Sequence, residues 1–134
     1  TGQQIWERGF RGNFLFSGFL IADGLLVANC EDTYMYGLDP NTGLDLWREK
    51  SSGTSTRLVY QDGVVYFSGG GDGLLHAVDI QKGKHLWKLQ SPDFKKNSGA
   101  YFWGMVAGMP AEGGKKGRIF ASTGINVHCY EAVK

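Results

Sequence analysis

The chain has 134 residues, room for one domain of ordinary size and not two. Fourteen Lys plus Arg stand against thirteen Asp plus Glu. That near-neutral balance removes the electrostatic case for nucleic acid or an anionic membrane surface as the main partner. No stretch reaches the apolar length of a transmembrane helix, no charged-then-apolar leader opens the chain, and Thr1 in place of Met reads as a processed or excised product.

Glycine limits what can be built, at 21 of 134 residues against a usual share of about 7%. The longest Gly-free stretch, Lys84 to Ser98, is interrupted by Pro92; the next, Leu25 to Tyr36, has no helical stripe. Gly costs a helix interior about 1 kcal/mol and Pro about 3 kcal/mol, so helices of ordinary length have almost nowhere to sit. Short apolar segments between turn residues remain. In chain order they are Phe16 to Ala22, Leu25 to Asn29, Thr33 to Leu38, Val64 to Ser68, Leu74 to Val78 and Arg118 to Ser122. Each has the length of a strand, and many are rich in Val, Ile, Phe and Tyr. The expected class is all-β.

The chain is also self-similar. Tyr36-Gly37-Leu38-Asp39-Pro40-Asn41-Thr42-Gly43-Leu44-Asp45-Leu46-Trp47 aligns without gaps on His76-Ala77-Val78-Asp79-Ile80-Gln81-Lys82-Gly83-Lys84-His85-Leu86-Trp87. In both, an acid is followed four residues later by Gly and eight later by Trp. His128-Cys129-Tyr130-Glu131 begins the pattern again, and Thr1-Gly2-Gln3-Gln4-Ile5-Trp6 supplies the tail of an earlier copy. Upstream markers recur too, at Asp23-Gly24, Asp62-Gly63 and Lys116-Gly117. The acids Asp39, Asp79 and Glu131 lie 40 and then 52 residues apart, which makes a three-copy array over 1–47, 48–87 and 88–134 with an insertion within 88–116.

Each copy reads as four short antiparallel strands. Asp-Gly or Lys-Gly turns the first hairpin, Gly accepting the positive φ required there. Cys30-Glu31-Asp32 or Gly69 to Gly73 makes the next turn. In the third, Asp-x-x-Thr/Lys-Gly, the carboxylate accepts backbone N–H bonds and Gly takes the left-handed position. Trp follows on the last strand. A four-stranded sheet repeated about every 40 residues is a propeller blade.

The motif Asp-x-x-Thr-Gly-x-x-x-Trp resembles the blade repeat of quinoprotein-like propellers, the pyrroloquinoline-quinone (PQQ) family. The resemblance covers nearly the whole chain, most weakly from Lys88 to Lys115. It implies about three blades of an eight-bladed propeller in a single partial domain over 1–134. That family includes PQQ-dependent alcohol dehydrogenases and cofactor-free relatives such as the lipoprotein of the outer-membrane β-barrel assembly machinery. In it the last-strand Trp docks on the neighbouring blade, which makes Trp6, Trp47 and Trp87 the expected staples, with Asp39, Gly43, Asp79, Gly83 and Glu131 the further structural positions of blade docking. The third copy departs in having Glu131 for Asp. Joining Lys134 to Thr1 would also put the Gly one position late.

Catalytic chemistry is hard to find. Gly69 to Gly73 lacks the Gly-Lys-Ser/Thr ending and the following helix of a phosphate loop, and reads as a hairpin turn. His76 and His128 share the repeat position of Tyr36, an amphipathic packing site, and His85 is expected on the polar face beside Trp87. No metal-ligand spacing accompanies them. Cys30 and Cys129 occupy different positions of non-adjacent copies and read as two free thiols. The vicinal Cys pair typical of the quinoprotein alcohol dehydrogenases is absent, and neither the acidic Ca²⁺ site nor the Asp base that resemblance would require can be placed.

The insertion is more informative. Trp6 to Gly24 and Trp47 to Gly63 are 18 and 16 residues, whereas Trp87 to Gly117 is 30. The surplus holds Phe94, Tyr101, Phe102, Trp103, Met105 and Met109, flanked by Lys95, Lys96, Lys115 and Lys116. Two readings stay open: Tyr101, Phe102, Trp103 and Met105 contact a partner or ligand, or Tyr101-Phe102-Trp103 fills the blade's first strand.

The leading expectation is a propeller segment with no catalytic residue and no cofactor, acting as a protein-interaction scaffold. The alternatives are part of a PQQ- and Ca²⁺-dependent dehydrogenase whose catalytic residues lie in other blades, and a ligand- or carbohydrate-binding propeller. Partners would be another protein or the remaining blades, or further copies of the chain if it is complete. The resemblance implies a periplasmic or cell-surface location.

Overall fold

A computed structural model describes residues 1–15, 17–95 and 99–134. Its regular structure is β except for one 3₁₀ turn, Pro92–Lys95. The first sheet is β1 (Leu20–Ala22), β2 (Leu25–Asn29), β3 (Tyr34–Leu38) and β4 (Asp45–Lys50), in that spatial order. The second is β5 (Val59–Gln61), β6 (Val64–Ser68), β7 (Leu75–Asp79) and β8 (Lys84–Leu89), built the same way. The third has three strands, β9 (Ala107–Met109), β10 (Arg118–Thr123) and β11 (Asn126–Glu131). All pairings are antiparallel meanders. First strands touch across sheets, β1 with β5 and β5 with β9, so successive strands run outward from one side. The all-β blade architecture read from the repeats is the one observed.

Turn chemistry sets the register. Asp23 and Gly24, like Asp62 and Gly63, both have positive φ (50° and 77°; 50° and 81°), the paired left-handed geometry of a two-residue hairpin. The repeat extends to an irregularity. Gly37 faces Trp47 while Leu38 faces Asp45, and Ala77 faces Trp87 while Val78 faces His85. The extra residue in each last strand, Leu46 or Leu86, is pushed outward and exposed.

The core lies between the sheets. Leu25, Val27 and Met35 of the first sheet pack on Leu58, Val65, Phe67, Val78 and Ile80 of the second. The other face of the second, with Val64, Tyr66, Leu75 and Ala77, packs on Phe102, Val106, Ile119, Ala121 and Ala132. Central strands are covered on both faces, which is why β6 is buried throughout and apolar up to its terminal Ser68, while β4 and β8 alternate. The outer face of the first sheet is partly covered by Phe10 and Phe14 from the N-terminal segment, which pack on Tyr36, Leu38 and Cys30.

Four expectations are corrected. The segment read as a strand from Phe16 shortens to Leu20–Ala22, and Phe16 lies outside the described residues, as do Lys96 and Ser98. The third blade's first hairpin does not turn at Lys116-Gly117. It runs on to Gly113 and Gly114 (φ 58° and 76°), closed by mutual Glu112 and Lys115 backbone bonds. Gly117 has ordinary φ and is needed for space, since a Cβ there would stand 2.6 Å from the Gln61 amide nitrogen. The first strand of that blade is Ala107–Met109, not Tyr101-Phe102-Trp103. His85 does not sit beside Trp87 on a polar face: the bulge at Leu86 sets it across from Val78, on the face opposite Trp87, where it is half-buried and meets His76.

Candidate functional site

Three groups of side chains could carry function: the tryptophans between blades, acids that hold a ring in each third strand, and the insertion before β9.

The Trp6 indole N–H donates to the Pro40 carbonyl at 2.9 Å, and that of Trp47 donates to Ile80 at 2.8 Å. Pro40 and Ile80 each follow the turn acid, Asp39 or Asp79. Those acids act alike, accepting from Asn41 N–H (2.8 Å) in one turn and from Gln81 and Lys82 N–H (3.0 and 2.9 Å) in the other. Gly43 and Gly83 close the turns with positive φ of 74° and 61° and lie flat under the rings. A Cβ on Gly43 would come within 2.6 Å of Trp6, and one on Gly83 would overlap Trp47. Trp87 packs on Tyr66, ring centroids 5.8 Å apart, within the second core. Glu131 occupies the acid's repeat position but pairs with Lys116 at 2.8 Å, both side chains well exposed.

The acids holding the rings escape a reading of the sequence alone. The Tyr36 hydroxyl donates to Asp32, and burial together with that carboxylate pushes the phenol up to about 12. In the second blade Asp72 takes the same part, 3.0 Å from His76 Nε2. His76 is fully buried, stacked 4.6 Å from Phe67, and its Nδ1 lies 2.9 Å from His85 Nε2. Burial first, then Lys88 and His76, lowers His85 to about 4. The third blade has no acid in its tight turn. Asp93, from the 3₁₀ turn of the insertion, meets His128 Nε2 at 3.1 Å and accepts from Thr123 (2.9 Å) and Asn126 (3.0 Å). The findable signal was an Asp four residues before Tyr36 and before His76; Asp93 has no such spacing.

Asp93 thereby pins the start of the insertion to the β10–β11 turn. Further along, the Phe102 N–H donates to Gly73 O (2.9 Å) and the Trp103 N–H to Ser122 O (3.3 Å), bridging two blades. Phe102 enters the core, while Tyr101, Trp103 and Met105 remain 38%, 66% and 69% exposed. Packing therefore accounts for Phe102 and leaves the other three at the surface. Tyr101 and Trp103 stand beside the Gly69–Gly73 turn, closed by Gly73 N–H to Gly69 O at 3.0 Å, around a cleft of about 330 Å³. Cys30 is buried, Cys129 is exposed, and both are free. Among the described residues no three His, Cys, Asp or Glu converge as metal ligands, and no helix is long and apolar enough to cross a membrane.

Repeated four-stranded meanders, joined by indoles lying on a neighbour's turn glycine, define an arc of blades from a PQQ-repeat, quinoprotein-like propeller. Residues 1–133 match the family described as outer membrane protein assembly factor BamB, and the chain belongs to that family. Among solved structures, BamB from Moraxella catarrhalis is similar at 17% identity and a TM-score of 0.70, over 95% of this chain and 36% of that one. The computationally designed protein Ika4 is similar at 14% identity and 0.66, over 98% of this chain and 74% of that one. Quinohemoprotein alcohol dehydrogenase ADHIIG from Pseudomonas putida HK5 is similar at 20% identity and 0.56, over 82% and 19%. At these identities the structures speak for fold. The chain spans about a third of the length of the BamB chain it matches. A search of curated proteins gives no match.

Proposed function

We propose that the chain is a non-catalytic part of a propeller scaffold that holds other proteins, in the periplasm or at the outer membrane, as family membership suggests. The observation that carries this reading is the exposed Tyr101, Trp103 and Met105 ridge, braced from behind by Phe102 and Asp93 and set on rigid blades. Aromatic and Met side chains held on a stiff support are the residue types that anchor protein interfaces.

Among the described residues, four acids that a Ca²⁺-bound quinone could have used are already engaged. Asp39 and Asp79 are occupied by turn N–H groups, Asp72 and Asp93 by histidines, and the two cysteines lie on different sheets. A photoreactive residue replacing Met105 in the intact protein tests the scaffold. Discrete protein adducts that weaken when Trp103→Ala is added are expected. Their absence, or dye-linked turnover on reconstitution with PQQ and Ca²⁺, would overturn the reading.

A further inference from the structure

The cleft beside that ridge has a chemistry of its own. One side is the Gly69–Gly73 turn, with the backbone of Gly70 and Gly71 exposed. The other is Tyr101 and Trp103, whose rings stand 5.9 Å apart and 73° to one another, packed edge to face. Tyr101 is fixed before any ligand arrives. Its ring lies on Gly73, where a Cβ would overlap it, and Phe94 supports it at 5.8 Å. A slot about 330 Å³ in size, at the small end of ligand sites, has room for a short stretch of peptide.

Polar complementarity narrows the occupant. The carboxylate in the cleft, Asp72, is already engaged: Oδ1 accepts from Leu74 N–H at 2.9 Å, and both oxygens lie within 3.0 Å of His76 Nε2. What the ridge offers is donors, the Trp103 indole N–H and the Tyr101 hydroxyl. A ligand suited to aromatic walls and to these donors is apolar and rich in acceptors. A polyproline II segment is such a ligand: proline has no N–H, and this helix leaves every carbonyl free of internal bonds. Aromatic-lined grooves exploit its low ordering entropy.

We propose that the Tyr101/Trp103 cleft takes a proline-containing, polyproline II segment of a protein partner, an inference that rests on the scaffold reading and names the chemistry of what the scaffold holds. The test is a titration of the intact protein, its indoles labelled with ¹⁵N, by decaproline, cellotetraose and tetramethylammonium in parallel. Decaproline is expected to move the Trp103 indole resonance in saturable fashion at millimolar concentration or below. Trp103→Ala weakens binding of fluorescent decaproline at least about tenfold, and Tyr101→Phe, which keeps the ring and deletes the donor, weakens it about threefold. Little dependence on salt is expected. No movement with decaproline, or movement with cellotetraose or tetramethylammonium in its place, overturns the inference. Adducts at position 105 that persist when decaproline does not bind would sink this inference and leave the scaffold standing. Decaproline binding without such adducts would support the cleft's chemistry and sink the scaffold.

Discussion

Trp47→Ala isolates what joins one blade to the next. The indole lies between Gly37 of its own sheet and Gly83 of the following one, with its N–H on Ile80 O at 2.8 Å. A large aromatic covers about 150–250 Å². Trp47 is half-buried, so the lower figure applies; at about 25 cal/mol per Å² its removal costs about 4 kcal/mol. Loss of the hydrogen bond adds about 1 kcal/mol. The gap opens toward solvent, so water reaches the Ile80 carbonyl and neighbours relax, and the net loss should be about 3 kcal/mol, at the low end for aromatic truncations. Urea midpoints of the intact protein, read by circular dichroism, supply the comparison. Trp87→Ala should follow Trp47→Ala, while Trp103→Ala, two-thirds exposed, should stay within about 0.5 kcal/mol of the parent. Equal midpoints for Trp47→Ala and Trp103→Ala would refute the assignment of the indole to the blade junction.

The glycines beneath that ring should be equally intolerant. Gly83→Ala combines overlap with Trp47 and a φ of 61°, and should cost about 2–4 kcal/mol in chemical denaturation. Gly37→Ala carries the overlap alone and should cost about 1–3 kcal/mol; a neutral result at either would show the indole free to move. Because burial holds His85 at about 4 against 6.5, the unfolded chain binds a proton there that the folded chain refuses. This contribution is intact above pH 6.5 and is lost as pH falls toward 4, so stability measured across that window should decline less in His85→Gln. An identical decline in both proteins would contradict the assignment. Thiol titration under native conditions should find Cys129 reacting promptly and Cys30 only on unfolding.

Where the repeat is complete, the fold was legible. Asp39 to Trp47 and Asp79 to Trp87 fixed two last strands and their turns, because an acid, a left-handed glycine and an indole each do one local job that a sequence displays. The third copy broke the pattern. Its hairpin turn moved to Gly113-Gly114 because that pair accepts the required φ, whereas Gly117 was kept for contact with Gln61. Within the candidate site, periodicity could not separate Phe102 from its neighbours. What buries Phe102 is the meeting of two sheets, with Ile119 and Tyr66 far away in sequence. Asp93 was missed for the same reason, since its role depends on a ring brought to it from 35 residues away, whereas Asp32 and Asp72 stand four residues before their rings and left a local signal.

The most direct test of the central claim concerns the blade faces left uncovered by the 134-residue chain. On one side Trp6, Phe10, Phe14, Phe19, Leu26 and Leu38 line an open apolar hollow of about 670 Å³. On the other, β11 has a free edge and Val127 is 77% exposed. Faces of this kind are docking surfaces for further blades, and a monomer rarely leaves them bare. Light scattering on this chain alone, with a hydrophobic dye present, should report association or strong dye binding, both relieved in the intact protein. A dilute, well-folded monomer that binds no dye would contradict the claim that these sheets are blades built to be covered by others.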